Sequence, residues 1–593
     1  MDPSTSTRTK TTKTLNKPTY CCFFCALKEP DTNRRRASLS AFFRDMPNHD
    51  NDSHVLVASS IWSMAMADPT DVELPSLGAL ECMTRLISKS LSNPSWLKLH
   101  QNIYIPYYAA HIIGSYTIRV PSLATVALES GVVGPLVSLM QGRISWVEQR
   151  VAVRALGHLA SYDSTFPAIA QHGKELIPLA MSTASTCIDI VFKQFVCIKS
   201  QKREKYHRDL LTRGLGGAER EDRKAEEWAS QIQCWSLYLL SCFASKDANS
   251  HALMVENFDF LKELCHMWGG LMNGDSPAGI GLMRLLCKSS IGREGIARNR
   301  EVIDCLCHLA RSCDDWQYMG IDCLLLLLDD PETRPYTLEL VAPYLVDLAE
   351  IGNLGARKNL GESITKILLK DYKTRSLIPG SETENALKSL WEIKVERKKK
   401  EATMSADEIS MREELAFRKK KEGKERYAKG NVEGAVVAYT EALSICPLRN
   451  SKERMVLYSN RAQCYLLLSE SDRAISDATR ALALARPVNW HGKSLWCRSQ
   501  AYDMKRMAKE SLMDCLMFAT NCFESKEGRQ RRDKVPYYVA RMISKQMHAA
   551  NLFAHRKLQH NTREGEDGYY GDDYDDDDDG DDGSDGDTDG DTL

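Results

Sequence analysis

The sequence predicts an all-α protein built from two consecutive arrays of helical repeats, and three observations support this prediction. Apolar residues recur every three and four positions, the helical period, in runs such as Val147 to Ser161 and Glu226 to Ser245. The two-residue alternation of a β-strand is absent from these runs. Short apolar motifs also return at constant spacing, which is typical of helical units stacked into a solenoid.

The first array is marked by a short motif that recurs along the chain. Leu-x-x-Leu-type pairs begin at Leu261, Ile303 and Leu345, at a spacing of 42 residues, and Gly131 and Gly173 are separated by the same distance. Each glycine followed by proline ends one short helix and begins the next. Residues 127–161 closely resemble an armadillo repeat. The resemblance implies an armadillo/HEAT-like α-solenoid of roughly seven degenerate repeats.

The second array has a more specific signature. Its first repeat spans residues 417–447, and two further copies follow before an amphipathic helix predicted over residues 535–558. Small residues at fixed positions allow paired helices to pack closely, and aromatic residues fill the remaining gaps. This pattern resembles a three-repeat tetratricopeptide (TPR) domain with a capping helix. The residues that carry the resemblance in the first repeat are Gly423, Tyr427, Gly430, Ala435, Tyr439, Ala442 and Pro447.

These patterns divide the chain into five predicted regions. The repeat arrays are separated by a charged stretch, and polar or charged segments lie at both ends. Within the first array, residues 199–228 are highly charged and interrupted by glycine, so we expect an enlarged loop there. The predicted regions are a mostly disordered segment 1–54, an armadillo-like array 55–371, a charged linker helix 372–412, a TPR domain with its capping helix 413–560, and a disordered acidic tail 561–593.

The order of the two arrays resembles that of the plant armadillo/TPR-like proteins. The same two modules occur in the UNC-45 myosin co-chaperones, but there the TPR repeats come first. The TPR part is similar to the co-chaperone subclass that binds the acidic C-terminal peptides of Hsp90 and Hsp70. The resemblance therefore implies a protein scaffold with a peptide-binding groove and Hsp90 or Hsp70 tails as partners.

Five residues of that subclass form a carboxylate clamp, and this sequence retains part of it. The resemblance places Lys420 at the first position, Asn460 in the second repeat and Lys493 in the third. Lys424 stands where the family has asparagine, and Cys497 stands where it has arginine. Because arginine offers a bidentate donor that cysteine lacks, we expect weak or altered binding of chaperone tails. A scaffold without any chaperone link is the alternative, since lysines also occur as solvated charges on repeat surfaces.

The small formal net charge of −2 conceals two opposed regions. Residues 564–593 contain 16 acidic residues and no lysine or arginine, so the remainder of the chain is basic, with a net charge of +14. A basic body can attract nucleic acid, anionic lipid or acidic peptides. However, its basic clusters lack interleaved aromatic residues and a known recognition fold, so nucleic acid is the less favoured partner.

Several other functions are disfavoured by missing motifs. Phosphate-loop, nucleophile-elbow and zinc-protease signatures are absent, so we expect neither an enzyme nor a cofactor. Cys21, Cys22 and Cys25 form a cluster without a second cysteine pair nearby, so we expect no metal site. A nuclear import receptor is disfavoured because Arg154, His158 and Leu239 occupy positions of the Trp-x-x-x-Asn ladder. No apolar run reaches membrane-spanning length. The chain has 19 cysteines and no secretion signal, which favours a reducing compartment, so we expect the protein in the cytoplasm and also in the nucleus.

Overall fold

The computed structural model describes residues 22–560 apart from 51, 268–278, 314, 356, 376–377, 525–534, 552, 555 and 558–559. Over these residues the chain is helical and contains no β-strand. This confirms the predicted all-α class. The predicted acidic tail lies outside the described residues.

The first described segment is helical and packed. Helices α1 (Phe23–Leu27) and α2 (Thr32–Asp45) bring Phe23 and Phe43 into contact, and both side chains are buried. The ring centroids of Phe23 and Phe42 lie 5.6 Å apart. The prediction that residues 1–54 are mostly disordered is therefore wrong for residues 22–50, because three phenylalanines outweigh the polar composition around them.

The first array continues from there with one hydrophobic core that runs through successive repeats. Most of its helices are short, and they stack side by side, so each repeat buries its apolar face against its neighbours. They are α3 (His54–Ala67), α4 (Glu73–Ser76), α5 (Ala79–Ser92), α6 (Pro94–Leu97), α7 (Ile105–Thr117), α8 (Pro121–Glu129), α9 (Val133–Met140), α10 (Trp146–Ser161), α11 (Phe166–Ala170), α12 (Gly173–Val191), α13 (Lys205–Thr212), α14 (Gly217–Lys246), α15 (Ser250–Val255), α16 (Phe258–Leu264), α17 (Gly279–Leu286), α18 (Ser290–Ala297), α19 (Arg300–Ala310), α20 (Asp315–Asp329), α21 (Arg334–Leu345) and α22 (Leu360–Leu368).

The charged segment 199–228 is not the projecting loop that its composition predicts. It forms α13 and the first turns of α14, a helix of 30 residues. The buried guanidinium of Arg203 donates to Glu221 at 2.9 Å and to Asp222 at 2.7 Å, while Arg208 donates to the other oxygen of Glu221. The charges neutralise one another inside the fold, so the segment packs where a solvated loop was expected.

One core helix has the composition of a membrane span. The segment Gly173–Val196, which comprises α12 and a π-helical turn, is by length and composition long and apolar enough to cross a bilayer, so the expectation that no apolar run reaches that length is wrong for this segment. More than half of its most apolar stretch is buried within the protein, with Leu176 and Ala180 fully buried. Extensive packing of α12 against α14 accounts for this apolar composition.

The charged linker is helical but is also part of the packed structure. Helix α23 (Glu382–Trp391) continues through a π-helical stretch into α24 (Lys398–Ala402). Leu387 and Leu390 are buried against the array, and the Thr383 hydroxyl donates to the carbonyl of Glu339 at 2.8 Å. The predicted linker helix 372–412 thus ends early, since a capping box at Ser405 starts the next helix.

The second array consists of three helix pairs and a further helix. In the first pair, a Cβ at Gly423 would lie 2.6 Å from the ring of Tyr439, so only glycine permits this close packing. The predicted capping helix is shorter than expected. The helices are α25 (Ala406–Ala428), α26 (Val432–Ile445), α27 (Ser451–Leu467), α28 (Ser471–Leu484), α29 (Gly492–Met504), α30 (Ala508–Glu524) and α31 (Tyr537–Ala549).

The two arrays are docked on each other through the second helices of the later pairs. Arg480 on α28 bonds Asp347 at 2.7 Å, and Lys509 on α30 donates to the carbonyl of His266 at 3.0 Å. Near the C-terminal end, Arg556 bonds Asp189 of α12 at 2.7 Å. This face of the second array is therefore covered by the first.

Candidate peptide-binding groove

The four predicted groove residues all lie on the first helices of their pairs. Lys420 and Lys424 are on α25, Asn460 is on α27 and Lys493 is on α29. The contacts with the first array described above come from α28 and α30, and α27 also reaches that array through Arg454, whose guanidinium pairs with Glu350. Lys424 and Lys493 are exposed, and Lys420 and Asn460 are partly exposed.

The centre of the groove is a contact between two of these residues. The ammonium of Lys493 donates a hydrogen bond of 2.8 Å to Oδ1 of Asn460. Loss of surrounding water lowers the pKa of Lys493, and the positive charge of Lys424 lowers it further. The fold therefore brings two lysines and an asparagine from three helices into one electropositive cluster.

Lys420 has a partner that sequence reasoning missed. Its ammonium lies 2.6 Å from Oε1 of Glu453, in the first turn of α27, and 5.0 Å from the centroid of the Phe417 ring. An acidic ligand must therefore compete with Glu453 for this lysine. The two residues are 33 positions apart. Their ion pair can therefore be predicted from the sequence only if α25 and α27 are already known to be neighbours.

The third-repeat arginine of the family has no substitute here. Cys497 is fully buried, and burial raises the pKa of its thiol to about 12, so it offers the groove no charged donor. The next residue, Arg498, is also fully buried and forms two hydrogen bonds with Asp514, at 2.6 and 2.8 Å. A guanidinium held in this way does not reach a ligand in the groove.

The first array also contains a largely buried cluster of aromatic and arginine side chains, formed by α7, α10 and α14. The Arg150 guanidinium stacks 3.8 Å above the Trp228 ring and donates to the Tyr107 hydroxyl at 2.9 Å. At the ladder positions, Arg154 lies 2.9 Å from Nε2 of His111, and the His158 ring packs edge-on against Trp235. Sequence reasoning missed the stack because its residues come from three different helices.

Three cysteines stand close together near the N-terminus, at Cys21, Cys22 and Cys25. Within the part of the chain that the structure describes, no three His, Cys, Asp or Glu side chains are grouped to hold a metal ion. Cys22 and Cys25 lie at α1, whereas Cys21 lies outside the described residues.

Comparison with known proteins supports both repeat types. Residues 14–255 match the family Plant ARM repeat. Tetratricopeptide repeat protein 12 of Homo sapiens is 35% identical over 106 residues, which cover 17% of this chain and 14% of that protein. Together these similarities support an ARM/TPR-like repeat protein. Repeat proteins of this kind are generally not enzymes, and the similarity indicates a protein-interaction scaffold.

Two further relatives of the ARM/TPR-like protein match over similarly short segments. Protein unc-45 homolog B of Danio rerio is 33% identical over 85 residues, covering 14% of this chain and 9% of that protein. Mitochondrial import receptor subunit TOM70 of Rattus norvegicus is 29% identical over 120 residues, covering 20% of this chain and 19% of that protein. The chain thus spans less than a fifth of each curated relative described here.

Proposed function

We propose that this protein is a scaffold whose TPR groove binds acidic peptides with a free C-terminal carboxylate, of the kind found at the ends of Hsp90 and Hsp70. The observation that carries the proposal is the electropositive cluster of Lys424, Asn460 and Lys493 on the first helices of the three TPR pairs. A peptide carboxylate accepts charge-assisted hydrogen bonds from ammonium groups and from the amide of asparagine.

The same contacts explain why binding should be weaker than with a complete clamp. Lys420 already forms an ion pair with Glu453, and the buried Cys497 stands where the complete clamp has arginine. A ligand gains the lysine contact only by displacing a carboxylate that is already there. The groove should therefore select ligands with several acidic groups, because such ligands contact Lys424 and Lys493 at the same time.

Replacing Lys493 with alanine should weaken peptide binding about tenfold, because a charge-assisted hydrogen bond contributes about 1.5–3 kcal/mol. The measurement is fluorescence anisotropy of the full-length protein with labelled peptides that copy the last residues of Hsp90 and Hsp70. C-terminally amidated peptides of the same sequences should bind more weakly, since they lack the terminal carboxylate. Lys421→Ala is the matched control, because Lys421 is an exposed lysine of α25 beside Lys420.

If neither the Hsp90 and Hsp70 peptides nor their amidated forms bind, the chaperone-tail proposal is contradicted. Only the general function as a protein-interaction scaffold then remains. Equal affinity of the wild type and the Lys493→Ala variant would contradict the location of the groove.

Replacing Glu453 with glutamine should tighten binding of the same acidic peptides severalfold. The change removes the carboxylate that competes for Lys420 and keeps the shape of the side chain. Glu433→Gln provides the control, because Glu433 also lies in the first turn of a TPR helix and is exposed. A tighter complex with both variants would indicate a general charge effect, and no change with Glu453→Gln would show that Lys420 does not contact the peptide.

A further inference from the structure

A cavity of about 570 Å³ lies where the first array meets the third TPR repeat. Its walls come from segments far apart in sequence. Cys265, His266, Cys305 and His308 line it from the first array, and Lys509 and Glu510 line it from α30. Two thiols, two imidazoles and an ammonium thus surround one solvent-connected space, and none of these groups belongs to the groove described above.

The two thiols form a pair across neighbouring repeats. Cys265 directly follows α16, Cys305 lies in the middle of α19, and the two thiols line the same cavity and interact with each other. Both are reduced and partly accessible. Nε2 of His266 lies 3.9 Å from Sγ of Cys305. This places a hydrogen-bonding imidazole and a second thiol on the same sulfur.

The surroundings favour the thiolate form of Cys305. The interaction with Cys265 is the main cause that lowers the pKa of Cys305, and together with His266 and His308 it brings that pKa to about 5 against the effect of burial. The pKa of Cys265 is raised by the same interaction and by burial. Other charged groups facing Cys305 or its neighbours are Lys262 of α16, Asp304 of α19, and Lys509 and Glu510 of α30. The arrangement separates a nucleophilic thiolate from a thiol that retains its proton.

A second thiol pair in the array provides a comparison. Cys287 and Cys323 also interact with each other, but both are fully buried. Burial and the interaction with Cys287 hold the pKa of Cys323 well above its ordinary value. The thiols of Cys287 and Cys323 are therefore neighbours, as those of Cys265 and Cys305 are, but they are not accessible to solvent.

We propose that Cys305 and Cys265 are a peroxide-responsive pair that closes to a disulfide between two neighbouring repeats. The co-reactant is a small hydroperoxide, and hydrogen peroxide is the simplest member of that class. Cys305 is the attacking sulfur and Cys265 is the resolving sulfur.

The chemistry takes place in two steps. The Cys305 thiolate attacks one peroxide oxygen, the O–O bond breaks, hydroxide leaves, and Cys305 becomes a sulfenic acid. The Cys265 sulfur then attacks the Cys305 sulfur, the S–O bond breaks, and the proton of Cys265 leaves with the hydroxyl group as water. Two sulfurs lose two electrons in total, and the peroxide accepts them.

The test exposes full-length reduced protein to one equivalent of hydrogen peroxide and maps the cysteines by mass spectrometry after non-reducing digestion. The expected product is the Cys265–Cys305 disulfide peptide, while Cys287 and Cys323 remain thiols. In Cys265→Ser, dimedone should label a sulfenic acid at Cys305. In Cys305→Ser, oxidation at Cys265 should be at least about tenfold slower. Cys197→Ser is the control, because Cys197 is an exposed thiol away from the cavity and its loss should change nothing.

Preferential oxidation of Cys197, or of Cys287 and Cys323, would overturn the proposal, as would unmodified Cys305 in the wild type. The wild-type map decides the question even where a serine variant folds poorly. Iodoacetamide alkylation provides an independent readout. Cys305 should react at a nearly constant rate between mildly acidic and neutral pH, whereas an ordinary thiol slows about tenfold for each unit of acidification. An ordinary profile at Cys305 would contradict its assignment as the attacking sulfur.

Discussion

Replacing Asp347 with alanine is expected to lower the free energy of unfolding by about 3–5 kcal/mol, because it leaves the buried Arg311 and the half-buried Arg480 without their shared carboxylate. Asp347 follows α21 and its side chain is fully buried. One carboxylate oxygen accepts from Arg480 at 2.7 Å and from Ser476 at 2.8 Å, and the other bonds Arg311. The carboxylate thus joins the first array to α28.

Urea unfolding followed by circular dichroism and tryptophan fluorescence measures this effect. In the wild type we expect the docked arrays to unfold together, whereas in Asp347→Ala the two signals should separate into two transitions. Asp329→Ala is the control, since its ion pair with Lys370 is exposed and should contribute under about 1 kcal/mol. Equal losses for the two variants would show that the Asp347 contacts do not hold the arrays together.

Removing the Arg498 guanidinium is expected to destabilise the TPR domain by a similar amount, about 3–5 kcal/mol. In Arg498→Met, the Asp514 carboxylate remains buried without its bidentate partner, and the Thr479 hydroxyl loses a bond of 3.1 Å. Methionine retains much of the apolar volume, so the loss reports chiefly on the missing charge. Urea unfolding followed by circular dichroism provides the measurement.

The double variant Arg498→Met with Asp514→Leu separates charge from packing. Replacing both members of a buried ion pair by apolar groups is often neutral, so the double variant should recover most of the lost stability. Arg473→Ala is the surface control, because its pair with Glu470 is largely exposed. A double variant as unstable as Arg498→Met would attribute the effect to packing.

The sequence was sufficient for the helical class and for the register of the TPR repeats. Gly423 and Tyr439 stand at positions where two helices touch, and this local pattern predicts their contact. The same register places Asn460 and Lys493 on the first helices of neighbouring pairs, where their side chains meet. Their function as a peptide clamp remains a prediction.

Predictions made from composition were wrong where long-range packing outweighed the local composition. The polar N-terminal segment contains phenylalanines that bury one another, so α1 and α2 form where disorder was predicted. The charged segment 199–228 folds because Arg203 and Glu221 neutralise each other in the interior. Counting charges along a chain does not reveal which of them will be paired.

The sequence by itself determined where helices form and which face each repeat buries, because helical periodicity is a property of nearby residues. Only the tertiary structure decided which charges and thiols are available. Glu453 of α27 forms an ion pair with Lys420 of α25. Asp347 bonds Arg480 and so joins the two arrays. Cys265 interacts with Cys305 of the next repeat. The physical reason is that ion pairs and thiol pairs depend on distances of a few ångströms between segments far apart in the chain, and packing sets those distances.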